Sequence, residues 1–416
     1  MNPKTLTEIN ENAASIAASI HVLRPLSWPL QAGTSFLEKW NQGQRELPKI
    51  EKPNVNYAEQ IEKLEDLKNS FTADHPLEIY TKKTIEGYLL GAQLVMANGT
   101  PEFQQLSSRI YGTPSAKMPG IETTNLEAAY RIIEIVDRFQ HPFIGEPEIC
   151  VTAQQMKDYL ESQIRSCFGQ GGPAVTLVDQ LPAKATASSK TVKLRNATCY
   201  SQYDYDQLNV HEVMTHSLTA LNGQQQPILK LLARGGPRTT SAQEGLATFS
   251  EVITGSIDLR RLKRIALRII AIEKALQGAD FIEVFSFFLE SGQEEKESFW
   301  SAARIFRGGS VGGGVIFTKD TVYLDGLIKV STLFRWAMVE NRPNLLDLLF
   351  SGRLAIADVF DLEPCLKNGL VAMPKYLPKW YEDIERLAGI LSFSVISNLI
   401  PTDQIANYYL KGGEGD

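Results

Sequence analysis

Apolar residues recur at helical spacing along most of this chain. Residues 126–139, LEAAYRIIEIVDRF, place them every three or four positions, and residues 156–167 repeat the pattern. The same period predicts helices over 56–67 and 77–96, so the chain reads as largely helical up to about Gln140. Alternating or β-branched runs at 148–152, 174–178 and 191–198 then predict strands. Residues 182–190, rich in Ala, Ser, Thr and Lys, read as an exposed turn between two of them. Helices return over 206–221, closed by Asn222-Gly223, and over 241–254, closed by Gly255. Further helices are expected over 259–276, which has a basic face, over 329–340 and over 384–399. The aromatic run FIEVFSFF at 281–288 reads as core.

This order predicts an α+β fold, mostly helical, with a small sheet ahead of a central helix pair. We expect a tail over 1–20, one large domain over 21–410 and a disordered tail over 411–416. Within the domain, the part to about 145 is helical, a mixed part spans about 146–345, and the rest is helical again.

Composition narrows the classes. The chain has 416 residues, 43% hydrophobic and 22% charged, enough for a substantial core. The net charge of −6 argues against nucleic acid or an anionic membrane as partner. No run reaches the ~18 apolar residues that span a bilayer. The first residues carry two glutamates and no continuous apolar stretch, so no secretory signal is expected and a cytoplasmic location is. Cys150, Cys167, Cys199 and Cys365 form no CxxC pair, and reduced, buried thiols are expected.

The candidate chemistry begins at HEVMTH, His211 to His216. Zinc peptidases commonly carry two histidines four apart on one helix, with a glutamate after the first. Here the spacing is five. In a regular helix that turns the second imidazole roughly 140° from the first, whereas four residues leave about 40°. A π-bulge inserts one residue into a turn and restores alignment. A metal site at HExxxH therefore predicts a locally widened helix. Otherwise the two residues are ordinary helix histidines.

Neutral imidazoles bind zinc, and a catalytic zinc keeps three protein ligands and a water. Glu212 stands where a general base takes that water's proton. Glu244, 28 residues after His216, is a candidate third ligand, and Gly245 and Ala247 would allow close approach of the two helices. Ser241-Ala-Gln-Glu244 also fits a capping box. Glu251, two turns further on, is the alternate ligand.

HEVMTH followed by TSAQEGLATFSE resembles the family known by its QEGLA motif, whose animal members include the microtubule-associated tyrosine carboxypeptidases. RIFRGGSVGGGVIFTKDTVYLDG at 304–326 is similar to a further segment of that family. The resemblance implies a metallopeptidase-like fold and a carboxypeptidase using one Zn2+ ion. It implies that His211, His216 and Glu244 hold the metal and that Glu212 is the base. The implied partner is a peptide or protein C-terminus. Tubulin is not carried over, because the chain is acidic and shows no long basic N-terminal extension.

A carboxypeptidase must hold a free carboxylate and stabilise an oxyanion. Arg307 and Lys319 are the candidates for the first task and Tyr323 for the second. Arg234 and Arg238 are further anion candidates, and Arg304 and Arg307 otherwise read as a solvated helix end. Gly308, Gly309, Gly312, Gly313 and Gly314 suggest a flexible loop near the cleft; no Gly-Lys-Ser/Thr follows, so it is no Walker A loop. The strand at 191–198 is expected to take an extended substrate along its edge. Competing readings are a zinc aminopeptidase or dipeptidyl peptidase, and a regulatory protein with a structural metal. The sequence leaves the oligomeric state open.

Overall fold

Asn2 caps helix α1 (Pro3–Ser19) by accepting a hydrogen bond from the Lys4 N–H. The helix buries Leu6, Ile9, Ala13 and Ala17 in the main core, so the residues expected to form a tail belong to the packed structure. The computed structural model describes residues 2–71, 74–143, 150–181 and 183–397. The helical first part continues with α2 (Leu23–Leu26), α3 (Leu30–Asn41), α4 (Ala58–Asn69), α5 (Pro76–Met96), α6 (Pro101–Tyr111), α7 (Asn125–Phe143) and α8 (Ala153–Phe168). The four helices predicted there are present within a few residues.

Three strands follow: β1 (Ala174–Val178), β2 (Ala185–Ala187) and β3 (Thr191–Arg195). Their order is β1-β3-β2, parallel between β1 and β3 and antiparallel between β3 and β2. This corrects two expectations. The segment expected as an exposed turn contains β2. And β3 is central, so its edges are already paired and β2 is an edge strand instead. Of the strand expected at 148–152, the first two residues lie outside the described residues, and Val151 makes a single bridge to Tyr200.

That bridge also corrects the cysteine reading. It brings Cys150 and Cys199 to a Cα separation of 5.2 Å, and they are joined as a disulfide across 49 residues of sequence. Both are exposed; Cys365 is buried and Cys167 half-buried, and both are free.

Next comes α9 (Gln202–Leu208), then a π-helix over Asn209–Ser217, then α10 (Leu218–Gln224). The Asn222-Gly223 pair does not end the helix. Asn222 is buried and donates to the carbonyls of Phe350 and Tyr376, while a Cβ on Gly223 would meet the Leu232 backbone at 2.3 Å.

The remaining helices are α11 (Thr240–Ile253), α12 (Leu259–Leu276), α13 (Phe281–Glu290), α14 (Glu295–Phe306), α15 (Val322–Val339), α16 (Asp347–Ser351), α17 (Asp358–Lys367), α18 (Lys379–Glu382) and α19 (Ile384–Ser397). Gly255 ends α11 at φ +70°, as its position predicted. Phe281, Phe285 and Phe288 sit in a second apolar cluster with Trp28, Phe36 and Phe299. The tail expected at 411–416 lies outside the described residues.

Helix α11 packs against the π-helix on one side and along α15 on the other. Gly245 serves the second contact, not the first. A Cβ there would lie 2.3 Å from the Gly326 carbonyl carbon, and one on Gly326 would lie 2.2 Å from the Ser241 carbonyl oxygen. Both obstacles are main chain and cannot swing away. Gly245→Ala should therefore lower unfolding free energy by about 1–3 kcal/mol. Denaturant titration checks this, and an unchanged midpoint would show that the two helices separate freely.

Candidate functional site

The π-helix stacks residues i and i+5, so the five-residue spacing of His211 and His216 becomes a shared face. The distortion extends over nine residues, more than the single bulged turn expected. Side chains reinforce it. Thr215 Oγ1 donates to the Val210 carbonyl, five residues back, at 2.8 Å, and Thr219 Oγ1 donates to the Thr215 carbonyl at 2.8 Å. The two imidazoles stand edge to face with centroids 4.9 Å apart.

Glu244 reaches them from α11. Its Oε2 lies 3.6 Å from His211 Nε2 and 3.9 Å from His216 Nε2. One ligand atom from each of the three residues lies within 4.8 Å of the others. The capping box is absent: α11 starts earlier, and the Ser241 hydroxyl donates to Asp325 Oδ2 at 3.1 Å. Glu251 does not face the cluster. It lies behind His211, with Oε1 2.6 Å from Nδ1, and it also accepts from Gln207 and from Arg261 Nε and Nη2. This is the arrangement in which a carboxylate fixes the ring of a metal-binding histidine. Two imidazoles, one carboxylate and that buttress suit zinc by donor type.

Electrostatics follow from these contacts. Burial alone pushes His211 down, but the carboxylates of Glu244 and Glu251 overcome it and raise the imidazole to about 10. Burial and the neighbouring His211 charge lower His216 to about 3. Burial opposes ionisation of Glu244, yet Lys319 and the histidines hold its carboxyl well below the usual range. Burial pushes the Glu212 carboxyl up.

The cluster opens into a cleft of about 460 Å³ that Glu212, Lys319, Tyr323, Arg304, Arg307 and Arg353 line together. The expected anion binders thus meet, with different engagements. Lys319 is buried, and one of its three N–H donors goes to Glu244 Oε1 at 3.2 Å. Arg304 is no solvated helix end. It grips Asp320 through Nε at 2.6 Å and Nη2 at 2.8 Å, and Nη2 also reaches the Tyr323 hydroxyl oxygen at 3.5 Å. Arg307 packs over the Phe317 ring at 5.1 Å, its Nε is buried without a hydrogen-bond partner, and burial next to Arg304 lowers it to about 10.

Other candidates lie elsewhere. Arg238 is held by Asp358 in a buried ion pair, and Arg234 is exposed and does not line the cleft. The glycines at 308–314 form a tethered turn outside it: the Phe281 N–H donates to the Val311 carbonyl and the Gly314 N–H to the Ala275 carbonyl.

Sequence reasoning missed Arg353 and β2. Arg353 lies 137 residues from His216 and carries no motif, so nothing in the sequence could have found it. For β2, the alternation in Ala-Thr-Ala is too short to register.

Fold and site together define a mostly helical α+β protein whose cleft holds a possible metal-binding triad of two histidines and a glutamate. A family model described as microtubule-associated tyrosine carboxypeptidase matches residues 35–398, and the chain belongs to that family. Membership implies a carboxypeptidase-type enzyme with a peptide or protein substrate. No curated protein matches the chain significantly. No helix among the described residues is long and apolar enough to cross a membrane.

Proposed function

We propose that this protein is a zinc-dependent metallocarboxypeptidase that removes a residue from a peptide or protein C-terminus. One observation carries the reading: His211, His216 and Glu244 converge within 4.8 Å on a cleft that Glu212 also lines. Those three residues hold the ion, and the domain around them is a single metallopeptidase-like unit. Bound there, zinc makes a water more acidic and polarises the scissile carbonyl.

The chain's own side chains divide the other tasks. Glu212 takes the water's proton on a carboxylate oxygen and passes it to the leaving amine. Burial raises its carboxyl above the ordinary range, which favours its taking a proton. Tyr323 supplies a donor to the oxyanion: Arg304 approaches the phenol oxygen, which leaves the hydroxyl proton free for the cleft. Arg307, with no carboxylate partner among the described residues, takes the substrate's terminal carboxylate.

The edge of β2 aligns the substrate chain. Lys184 and Ser188 bond toward β3, so by alternation the N–H and C=O groups of Ala185 and Ala187 point the other way. Both residues line the cleft, and an extended peptide can add there as a strand.

The test incubates zinc-loaded protein with a peptide library and identifies released residues by mass spectrometry. The family's name makes a C-terminal tyrosine the first to try. Release of single C-terminal residues, stopped by C-terminal amidation but not by N-terminal acetylation, is the expected result. Release from the other end would replace this reading with an aminopeptidase or dipeptidyl peptidase.

A further inference from the structure

The cations around the cleft differ in what they hold. Arg261 pairs with Glu251, Arg304 with Asp320 and Lys319 with Glu244. Arg307 and Arg353 form no ion pair among the described residues, and the Nε atom of each is buried without a hydrogen-bond partner. Both guanidiniums are half-buried and feel carboxylates only without direct contact, Asp320 for Arg307 and Glu212 and Glu244 for Arg353. Arg353 is nonetheless held in place. Its main-chain N–H donates to the Leu232 carbonyl at 2.7 Å, and its Nη2 donates to the His216 carbonyl at 2.9 Å. The missing side chain of Gly235 makes room for it, since a Cβ there would lie 2.7 Å from Arg353 Nη1. One edge of the guanidinium therefore fixes the turn carrying His216, and the group lines the cleft.

We propose that Arg353 is a substrate-recognition residue that grips the terminal carboxylate with Arg307, in the place the sequence pattern gave to Lys319. This rests on the carboxypeptidase reading. A guanidinium presents paired N–H donors that match a carboxylate, which a lysine ammonium does not. An arriving substrate anion would give the guanidinium the direct carboxylate partner that it lacks among the described residues. The contact to His216 also couples substrate binding to the position of a candidate metal ligand.

The experiment measures binding rather than turnover. Zinc-loaded Glu212→Gln protein is titrated calorimetrically with a peptide ending in a free carboxylate and with the same peptide as its C-terminal amide. The acid should bind at least about tenfold more tightly than the amide. Adding Arg353→Met should remove most of that preference, and zinc content and melting temperature measured alongside report the cost of losing the bond to the His216 carbonyl. Arg353→Lys, which keeps the charge and tests the same point if the methionine variant does not fold, should retain only part of it. An unchanged acid preference in either variant overturns the proposal and leaves the carboxypeptidase reading standing. Equal weakening of acid and amide together with zinc loss overturns it too, because Arg353 is then structural. No acid preference in the Glu212→Gln parent sinks both.

Discussion

Glu212→Gln should lower turnover by about 10²- to 10⁴-fold while the metal stays bound, the range by which a positioned acid–base group accelerates proton transfer. The substitution keeps the size and one carbonyl oxygen of the side chain and removes its ability to hold a proton between two steps. Glu212 is half-buried on the cleft wall, directly after His211 in the π-helix, and belongs to no ion pair among the described residues. Its loss breaks no direct ion pair, and the melting temperature should stay close to that of the parent. Steady-state rates on a peptide acid, with metal content by elemental analysis, check both halves. Full turnover in a folded, metal-loaded variant would remove Glu212 as the proposed base, whereas no turnover in the zinc-loaded parent would return the regulatory-protein reading.

Metal removal should cost at least as much, and the pH dependence of metal uptake has a definite sign. In the metal-free protein His211 sits between Glu244 and Glu251 and keeps its proton up to about 10. His216 is neutral above about 3. A divalent ion needs both nitrogens bare, so uptake near neutral pH displaces one proton, from His211. The raised His211 pKa stabilises the metal-free form at lower pH, and that contribution is lost as pH rises through about 10. Zinc affinity should then climb about tenfold per pH unit below that point, and uptake should release close to one proton. Competition with a chromophoric chelator at several pH values measures this, and a flat profile excludes His211 as the displaced group. Glu251→Gln should weaken zinc by about 10- to 100-fold, because the ring loses its carboxylate anchor and Arg261 its partner. Stripping the metal should abolish cleavage and lower the melting temperature, since the ion binds the folded chain preferentially.

Much of this could be read before the fold was known, and the reason differs from element to element. The long helices announced themselves through repetition, as α5, α7 and α12 did, since many residues carry one period. The five-residue histidine spacing pointed to a widened helix because geometry allows few ways to align such a pair. Strand β2 stayed hidden, for three residues carry too little pattern to separate a strand from a turn. Its discovery moved the expected peptide-binding edge from β3 to β2. The disulfide was equally hidden: a bridge between Val151 and Tyr200 brings its cysteines together, and spacing alone does not reveal such a meeting.

The sequence by itself determined the helical majority, the donor types and the need for a π-helical turn, all of which depend on residues close together in the chain. Tertiary structure decided which charges are committed and which remain free. It turned Glu244 from a cap toward the histidines, set Glu251 behind His211, tied Lys319 to Glu244 and brought Arg353 to the cleft. Those choices depend on which helices cross and how closely. At the α11–α15 crossing the decisive fact is that two glycines, 81 positions apart in sequence (326 − 245), let two backbones touch.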